Sequence, residues 1–244
     1  GLGAFQEIKG KPEAAMVTGI AMTGGLYSNK SKLNLLDSTP IAKILREYDG
    51  IVVPASSKYR TLKQLLDDLV AKPNAVAIAG GSKGGIDHQV IGLLAQKASI
   101  DPTKLNYVVF SGGPEVITSL LSGSTQVGVS GALDFAPYVA SGKLRYLGVS
   151  SAKPLTGIKA KTFVSQGYDL VYGNWRGIMA PADLSKADYL NFVKVIDIMH
   201  VSPAWAAQLK KNNWDNEFAA GTAFKAFLEK HIPEINGVMK GLGI

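Results

Sequence analysis

The chain has 244 residues, 46% of them hydrophobic, which is enough for one large domain or for two smaller lobes. It has no cysteine, which excludes disulfides, thiolate catalysis and cysteine-based metal sites, and no apolar run approaches the roughly 18 residues that cross a bilayer. The net charge of +7 comes mostly from scattered lysines that form no basic stripe interleaved with aromatics, so a nucleic-acid partner is not expected.

The amino-terminal stretch GLGAFQEIKGKPEAA lacks the basic start and the apolar middle of a signal peptide. We therefore expect that any export signal has already been removed. Six short apolar segments then predict strands, because they are continuous rather than alternating, as in a sheet covered on both faces. They lie at 14–20, 50–53, 75–79, 106–110, 126–129 and 144–149.

Helices with recognisable ends lie between these strands. Thr61 and Gln64 form a capping box, and leucines then recur every three and four residues until Lys72-Pro73. Gly113-Pro114 begins another helix, which runs to Gly123. The alternation of strands and helices predicts an α/β architecture with a largely parallel sheet.

From residue 175 onward the pattern is helical. An apolar stripe predicts a helix over 186–200, Ser202-Pro203 is a typical helix start, and 222–242 predicts a long closing helix. Two extended runs, 51–54 and 172–175, bracket the central block and are candidates for strands that cross between two lobes. We expect lobe 1 to comprise 1–52 and 173–244, and lobe 2 to comprise 53–172.

The stretch AVAIAGGSKGGIDHQV, residues 75–90, admits two functions. Gly80-x-Ser82-x-Gly84 between a strand and a helix matches the nucleophile elbow of serine hydrolases. That chemistry also needs a histidine on a loop above the sheet, whereas His200 and His231 lie in helical or polar contexts. The alternative is a binding loop, whose glycines let the backbone approach an anion and whose helix start offers unpaired N–H groups.

Two further loops of small residues favour the binding hypothesis. Ser111-Gly112-Gly113 and Ser130-Gly131-Ala132 also join strands to helices. In a parallel sheet, loops at the carboxyl ends of neighbouring strands face one crevice. We therefore expect a crevice rich in backbone donors and poor in charged side chains.

Metal binding and other motifs are weaker. The three histidines have no ligand spacing, so no metal and no cofactor are expected. His88 is expected to cap or pack its helix, with a direct ligand contact as the alternative. Trp175, Trp205 and Trp214 are expected to pack in the core or at a hinge rather than to stack on a ligand.

An ordered set of short motifs resembles a known family. Thr39-Pro40-Ile41-Ala42, Thr61-Leu62-Lys63-Gln64, Gly80-Gly81-Ser82 with His88, Gly112-Gly113-Pro114, Ser141-Gly142-Lys143-Leu144-Arg145 and Asn174-Trp175-Arg176-Gly177 occur in this order. In order and spacing the chain is similar to the solute-binding receptors of the tripartite tricarboxylate transporters, also called Bug receptors. The similarity extends over most of the chain from about residue 14 onward.

The resemblance implies a periplasmic, non-enzymatic receptor with a two-lobed, type II-like periplasmic-binding-protein fold. Each lobe would be a mixed, mostly parallel sheet flanked by helices, with a ligand cleft between the lobes. The receptor, expected to be a monomer, would close over a small di- or tricarboxylate, aromatic acid or amino acid and present it to membrane permease subunits. The expected ligand-binding residues are Thr23, Gly80, Gly81, Ser82, Gly84, His88, Ser130, Gly131, Ala132 and Asp134, the last through a water or a ligand amine.

One departure from the family pattern concerns the start of the chain. Members of the family begin with another strand and a glycine-rich first loop, whereas Gly1-Leu2-Gly3-Ala4-Phe5 resembles the segment after that unit. Absence of this unit would weaken ligand binding. A serine hydrolase using Ser82 remains the rival function, and a sensory or partner-binding module that lost transport is a third.

Overall fold

A computed structural model describes all 244 residues, which fall into two compact units. Unit 1 contains Gly1–Glu47 and Asn174–Gly237, and unit 2 contains Tyr48–Gly173 and Val238–Ile244. The chain boundaries therefore fall after residues 47 and 173, where the sequence predicted 52 and 172. No helix in either unit has both the length and the apolar character that a membrane span requires.

Unit 1 is built on strands β1 (Met16–Gly19), β7 (Gly173–Ala180), the first part of β2 (Thr39–Pro54) and β8 (Ala219–Ala220). Strand β7 lies between β1 and β2, and β8 pairs with β2. The β1–β7 and β2–β8 pairs are antiparallel, so the predicted mixed sheet is present but these pairs depart from the mostly parallel arrangement.

The helices of unit 1 are α1 (Leu2–Glu7), α2 (Ile20–Ser28), α7 (Lys186–His200), α8 (Pro203–Lys211) and α9 (Thr222–Gly241), the last of which ends in unit 2. The predicted start of α8 is confirmed, since Ser202 Oγ accepts a hydrogen bond from Trp205 N–H at 3.1 Å. Trp175 is fully buried, with its ring edge-on to Phe224 and Phe227. Core packing is thus the role of this tryptophan.

Unit 2 has a five-stranded sheet formed by the last part of β2, β3 (Ala77–Gly80), β4 (Asn106–Val109), β5 (Val127–Gly131) and β6 (Leu144–Val149). Strand β3 pairs in parallel with β4 on one side and with β5 on the other. Strand β2 runs antiparallel to both β5 and β6. The α/β class and the mixed sheet are therefore confirmed.

Helices cover both faces of this sheet. They are α3 (Leu62–Ala71), α4 (Ile86–Lys97), α5 (Gly113–Leu121) and α6 (Ala132–Ala140). Adjacent strand residues such as Ile78 and Ala79 enter different apolar clusters, one with α3 and α4 and the other with α5 and α6. This two-sided burial explains why the strand sequences are continuously apolar rather than alternating.

The last seven residues pack into unit 2, whereas the sequence predicted all of 173–244 in lobe 1. Leu242 is only 4% exposed, and its Cδ2 lies 2.2 Å from where a Cβ on Gly92 of α4 would sit. The Gly241 carbonyl also accepts a hydrogen bond from Gln96 Nε2 at 3.3 Å. Because Gly92 of α4 has no side chain, Leu242 near the end of the chain packs directly against this helix.

Glycine is sterically required in the centre of β5. A Cβ at Gly128 would lie 2.6 Å from Leu120 Cδ1 and 3.0 Å from Val116 Cγ1, and both are buried side chains of α5. The Gly128→Ala variant should therefore lose about 1–3 kcal/mol of stability through overpacking. Urea unfolding followed by circular dichroism measures the loss.

The matched control is Gly237→Ala in α9, where a Cβ would meet nothing within 4 Å. This substitution should leave stability unchanged or raise it by up to about 1 kcal/mol, because alanine favours helix over glycine. Equal effects of the two substitutions would contradict the packing derived for β5.

Candidate functional site

Three small-residue loops meet at one edge of the unit 2 sheet because β3 lies between β4 and β5 and runs parallel to both. The Phe110 N–H donates to the Gly80 carbonyl at 2.8 Å, which joins the loop after β4 to the loop after β3. The position of a Cβ on Gly113 would lie 2.6 Å from Asp134 Oδ2, so the loop after β4 also contacts the loop after β5. The predicted residues of unit 2 are therefore neighbours in space.

The glycines of the first loop serve the protein's own packing. A Cβ on Gly80 would lie 2.2 Å from the hydroxyl oxygen of Tyr107, and that hydroxyl donates to the Gly81 carbonyl at 2.9 Å. Gly84 has a φ of +76°, which disfavours other residues, and Gly85 N–H closes a turn onto the Ser82 carbonyl at 2.8 Å. The space that glycine leaves beside the loop backbone is thus occupied by the Tyr107 side chain.

Two amides of this loop already have acceptors in the same unit. Gly81 N–H donates to Asp87 Oδ2 at 2.7 Å, and Gly84 N–H donates to His88 Nδ1 at 3.2 Å. Ser82 and Lys83, at the tip, are exposed. The backbone donors predicted for a ligand are therefore fewer than the glycine content suggested.

His88 is held at the base of the loop. It is 8% exposed, and its ring stacks on Tyr107 with centroids 4.2 Å apart. Burial, reinforced by the Lys83 charge, lowers the pKa of His88 to about 4, so the imidazole is neutral at pH 7. Since Nδ1 accepts from Gly84, the hydrogen of the neutral ring lies on Nε2.

Two aspartates that the sequence did not assign to the site lie beneath the loops. Asp87 and Asp49 are 8% and 2% exposed, and they share a hydrogen bond. Burial raises the pKa of Asp87 to about 6, and the Asp134 charge adds to the shift, while the Gly81 N–H opposes it. The available signal for Asp49 was an acidic residue directly before Gly50 and the apolar run 51–53 of β2.

The third loop contains the remaining predicted residues of unit 2. Ser130 is 5% exposed and its hydroxyl donates to Asp134 Oδ2 at 3.3 Å. A Cβ on Gly131 would lie 3.1 Å from the same carboxylate oxygen. Ala132 begins α6, is buried, and accepts a hydrogen bond at its carbonyl from the Tyr146 hydroxyl. Asp134 is the exposed charged group of this loop.

Thr23 lies in unit 1, apart in the chain from the other predicted residues. It is in α2 rather than in a loop, is 2% exposed, and its hydroxyl donates to the Gly19 carbonyl at 3.5 Å. The predicted strand 14–20 ends at Gly19, so the chain becomes helical three residues before Thr23 is reached. Its side chain is turned to its own helix, which gives no support to a ligand contact.

No histidine is positioned as the general base that a serine hydrolase using Ser82 would need. None of the three histidines hydrogen-bonds to the Ser82 hydroxyl. His200 stacks on Phe218 with centroids 3.8 Å apart, and His231 Nδ1 lies 2.9 Å from Glu234 Oε2. No group of three metal-ligating side chains is positioned to hold an ion.

A pocket of about 380 Å³ lies elsewhere on unit 2 and contains none of the predicted residues. Its lining includes Val76 and Gln126, which immediately precede β3 and β5, so it lies at the opposite edge of the sheet. Lys58 and Asp68 form an ion pair there, and the hydrogen bond that the Lys58 ammonium donates to Asp68 lowers the pKa of this carboxyl group. The pocket is therefore distinct from the crevice of the three loops.

Comparison with known proteins agrees with this architecture. BugD, a periplasmic binding protein, superposes with a TM-score of 0.85 at 18% identity, covering 100% of this chain and 83% of BugD. Rpa4515 of Rhodopseudomonas palustris, solved with adipate, gives 0.85 at 14% identity, covering 100% of this chain and 82% of that protein. At these identities the likeness shows the fold, which is that of the periplasmic binding proteins.

The family follows from the sequence. The family model described as "Tripartite tricarboxylate transporter family receptor" (TctC) matches residues 14–243, and the chain belongs to this family. A UPF0065 protein of Cupriavidus necator is 25% identical over 202 residues, which are 80% of this chain. The matched part spans 48% to 59% of the lengths of the curated relatives.

The burial of His88 predicts the pH at which its imidazole binds a proton. A histidine in an unfolded chain binds a proton near pH 6.5, whereas folded His88 should bind one only near pH 4. Between these values acidification favours the unfolded chain, because only the unfolded histidine binds the proton. The contribution of the neutral, packed His88 ring to stability is therefore complete above about pH 6.5 and is lost as the pH falls towards 4. Buried Asp87, whose pKa is raised, acts in the opposite direction.

Because the two contributions oppose each other, NMR of the imidazole is the appropriate measurement rather than global stability. The His88 ring signals, assigned with a His88→Gln variant, should move with a midpoint near pH 4. A midpoint near 6.5 would show that the ring is solvated and not packed on Tyr107.

Proposed function

We propose that this chain is the extracytoplasmic solute-binding receptor of a tripartite tricarboxylate-type transporter. It captures a small organic carboxylate in the periplasm and delivers it to membrane permease subunits. The observation that carries the proposal is the meeting of three strand–helix loops at the carboxyl edge of β3, β4 and β5, where ligands bind in open α/β sheets. Adipate in a protein of the same fold supports a carboxylate ligand.

The chemistry of the crevice supports binding rather than turnover. Ser82 has an exposed side chain but no hydrogen-bonded base, and the nearby His88 uses Nδ1 to hold Gly84 N–H. A serine without a base is a poor nucleophile at neutral pH. We therefore propose that the receptor is not an enzyme. The closing of two lobes over the ligand and the monomeric state stay predictions.

Titration calorimetry of the full chain tests the proposal. The panel comprises citrate, L-malate, adipate, benzoate, L-aspartate, L-glutamate and L-leucine, with succinamide as a matched compound that lacks carboxylates. At least one carboxylate should bind saturably at one site, and succinamide should bind at least about tenfold more weakly, as expected when a charge-assisted contact is lost.

A fluorophosphonate probe examines the rival function on the same sample. Wild-type protein and a Ser82→Ala variant should be equally unlabelled. Labelling that disappears in Ser82→Ala would make the protein a serine hydrolase, and absence of binding to every carboxylate would overturn the receptor proposal.

A further inference from the structure

Helix α7 of unit 1 exposes apolar side chains on the face that points away from the core. Its opposite side is buried, since Ile196 belongs to the apolar cluster of this unit. Four large apolar side chains between residues 190 and 201 are nevertheless 53% to 77% exposed: Leu190, Val195, Ile198 and Val201. The other large apolar side chains that are exposed are spread along the chain from Val17 to Val171. A contiguous exposed apolar patch is typical of an interaction surface, whereas single exposed residues are not.

Two charged side chains share this face of α7. The row Leu190, Lys194, Asp197 and Val201 is spaced by four, three and four residues, and Val201, the C-cap, keeps the helical backbone conformation. This spacing places all four on one face of the helix. Lys194 and Asp197 are both exposed, and neither side chain is paired with another group of the chain. Both charges are therefore available to a partner.

The order of these four residues is self-complementary. Lys194 and Asp197 are equally distant from the point between residues 195 and 196, and Leu190 and Val201 are equally distant from the same point. When two α7 helices pack antiparallel about a two-fold axis at that level, each Lys194 lies level with Asp197 of the other copy. Leu190 then lies level with Val201 of the other copy, so every contact occurs twice. Parallel packing would instead bring like charges together.

The surface beside this row is also suited to contact. Val195 and Ile198 extend the apolar area on one flank. Val195 further borders a pocket of about 230 Å³ together with Pro12 and Phe192, which leaves room for side chains from outside. An anionic membrane would attract Lys194 but repel Asp197, whereas a second copy of the chain satisfies both charges.

We propose that α7 is a contact surface between two copies of this chain, packed antiparallel with Lys194 on Asp197 and Leu190 on Val201. One helix from each copy covers less than the roughly 800 Å² per partner of a standard interface. The net charge of +7 also repels two copies. The association is therefore weak and reversible, and dilute receptor stays monomeric, as the family resemblance implies. The inference does not depend on which ligand the chain binds.

Sedimentation velocity of the full chain tests the proposal over a concentration series that reaches about 1 mM, in about 0.15 M salt to screen the net charge. The weight-average sedimentation coefficient should rise from the monomer value towards the dimer value. Lys194→Glu and Asp197→Lys, made singly, should each weaken association about tenfold, because two attractive pairs become two repulsive pairs.

The double variant Lys194→Glu/Asp197→Lys should restore association to within about threefold of the wild type, since it exchanges the two charges. The matched control is Lys159→Glu, which makes the same charge change at an exposed position of unit 2 and should alter association little.

A second pair of substitutions examines the apolar part of the surface. Leu190→Gln combined with Ile198→Gln should abolish the dimer, while glutamine, a good helix former, keeps α7 folded. Far-ultraviolet circular dichroism verifies that the helix content is unchanged.

Three results would contradict the proposal. One is a monomer at every concentration. Another is association that neither charge reversal changes, which would place the contact on another surface. The third is sedimentation of the monomer with phosphatidylglycerol vesicles, lost in the Leu190→Gln/Ile198→Gln variant and without any self-association, which would make this face a membrane contact.

Discussion

The parallel pairing of β3 with both β4 and β5 is the constraint on which the crevice depends. Because the three strands end at the same edge, their following loops must meet, and the Phe110–Gly80 bond and the Gly113–Asp134 contact are consequences of that register. A change of one residue in the β3 register would turn Ile78 and Ala79 to the wrong clusters. The two apolar clusters therefore fix the register that brings the three loops together.

Within the crevice, the chain's own polar groups fix the loop before any ligand arrives. Asp87 holds Gly81 N–H, Gly84 N–H is bound by His88, and Tyr107 holds the Gly81 carbonyl. Preformed loops reduce the ordering entropy lost on binding, which favours affinity for a small ligand. This arrangement requires Asp87 to be buried, which disfavours its charged form and raises its pKa to about 6.

Much of the fold was predictable because its signals are local. The capping box at Thr61 is present as predicted, with Gln64 N–H donating to the Thr61 hydroxyl, and the helix over Lys186–His200 was predicted with its observed ends. Strand β2 was recognised only at 50–53 although it extends over Thr39–Pro54, because its first part mixes polar and apolar residues. Its antiparallel direction and the docking of Leu242 on Gly92 depend on tertiary contacts that no local pattern encodes.

The site was predictable to the level of loops but not of atoms. The small-residue loops 80–85, 111–114 and 130–134 were correctly predicted to meet at one sheet edge, yet their glycines could not show that Tyr107 takes the space beside Gly80. Likewise, the sequence could not show that acidic side chains already occupy two of the loop amides. A glycine-rich turn indicates only that some group approaches the backbone closely, and in this loop that group is a side chain of the protein itself, Tyr107. Of the charged side chains that stay exposed at the rim of these loops, Asp134 and Lys83 have opposite signs.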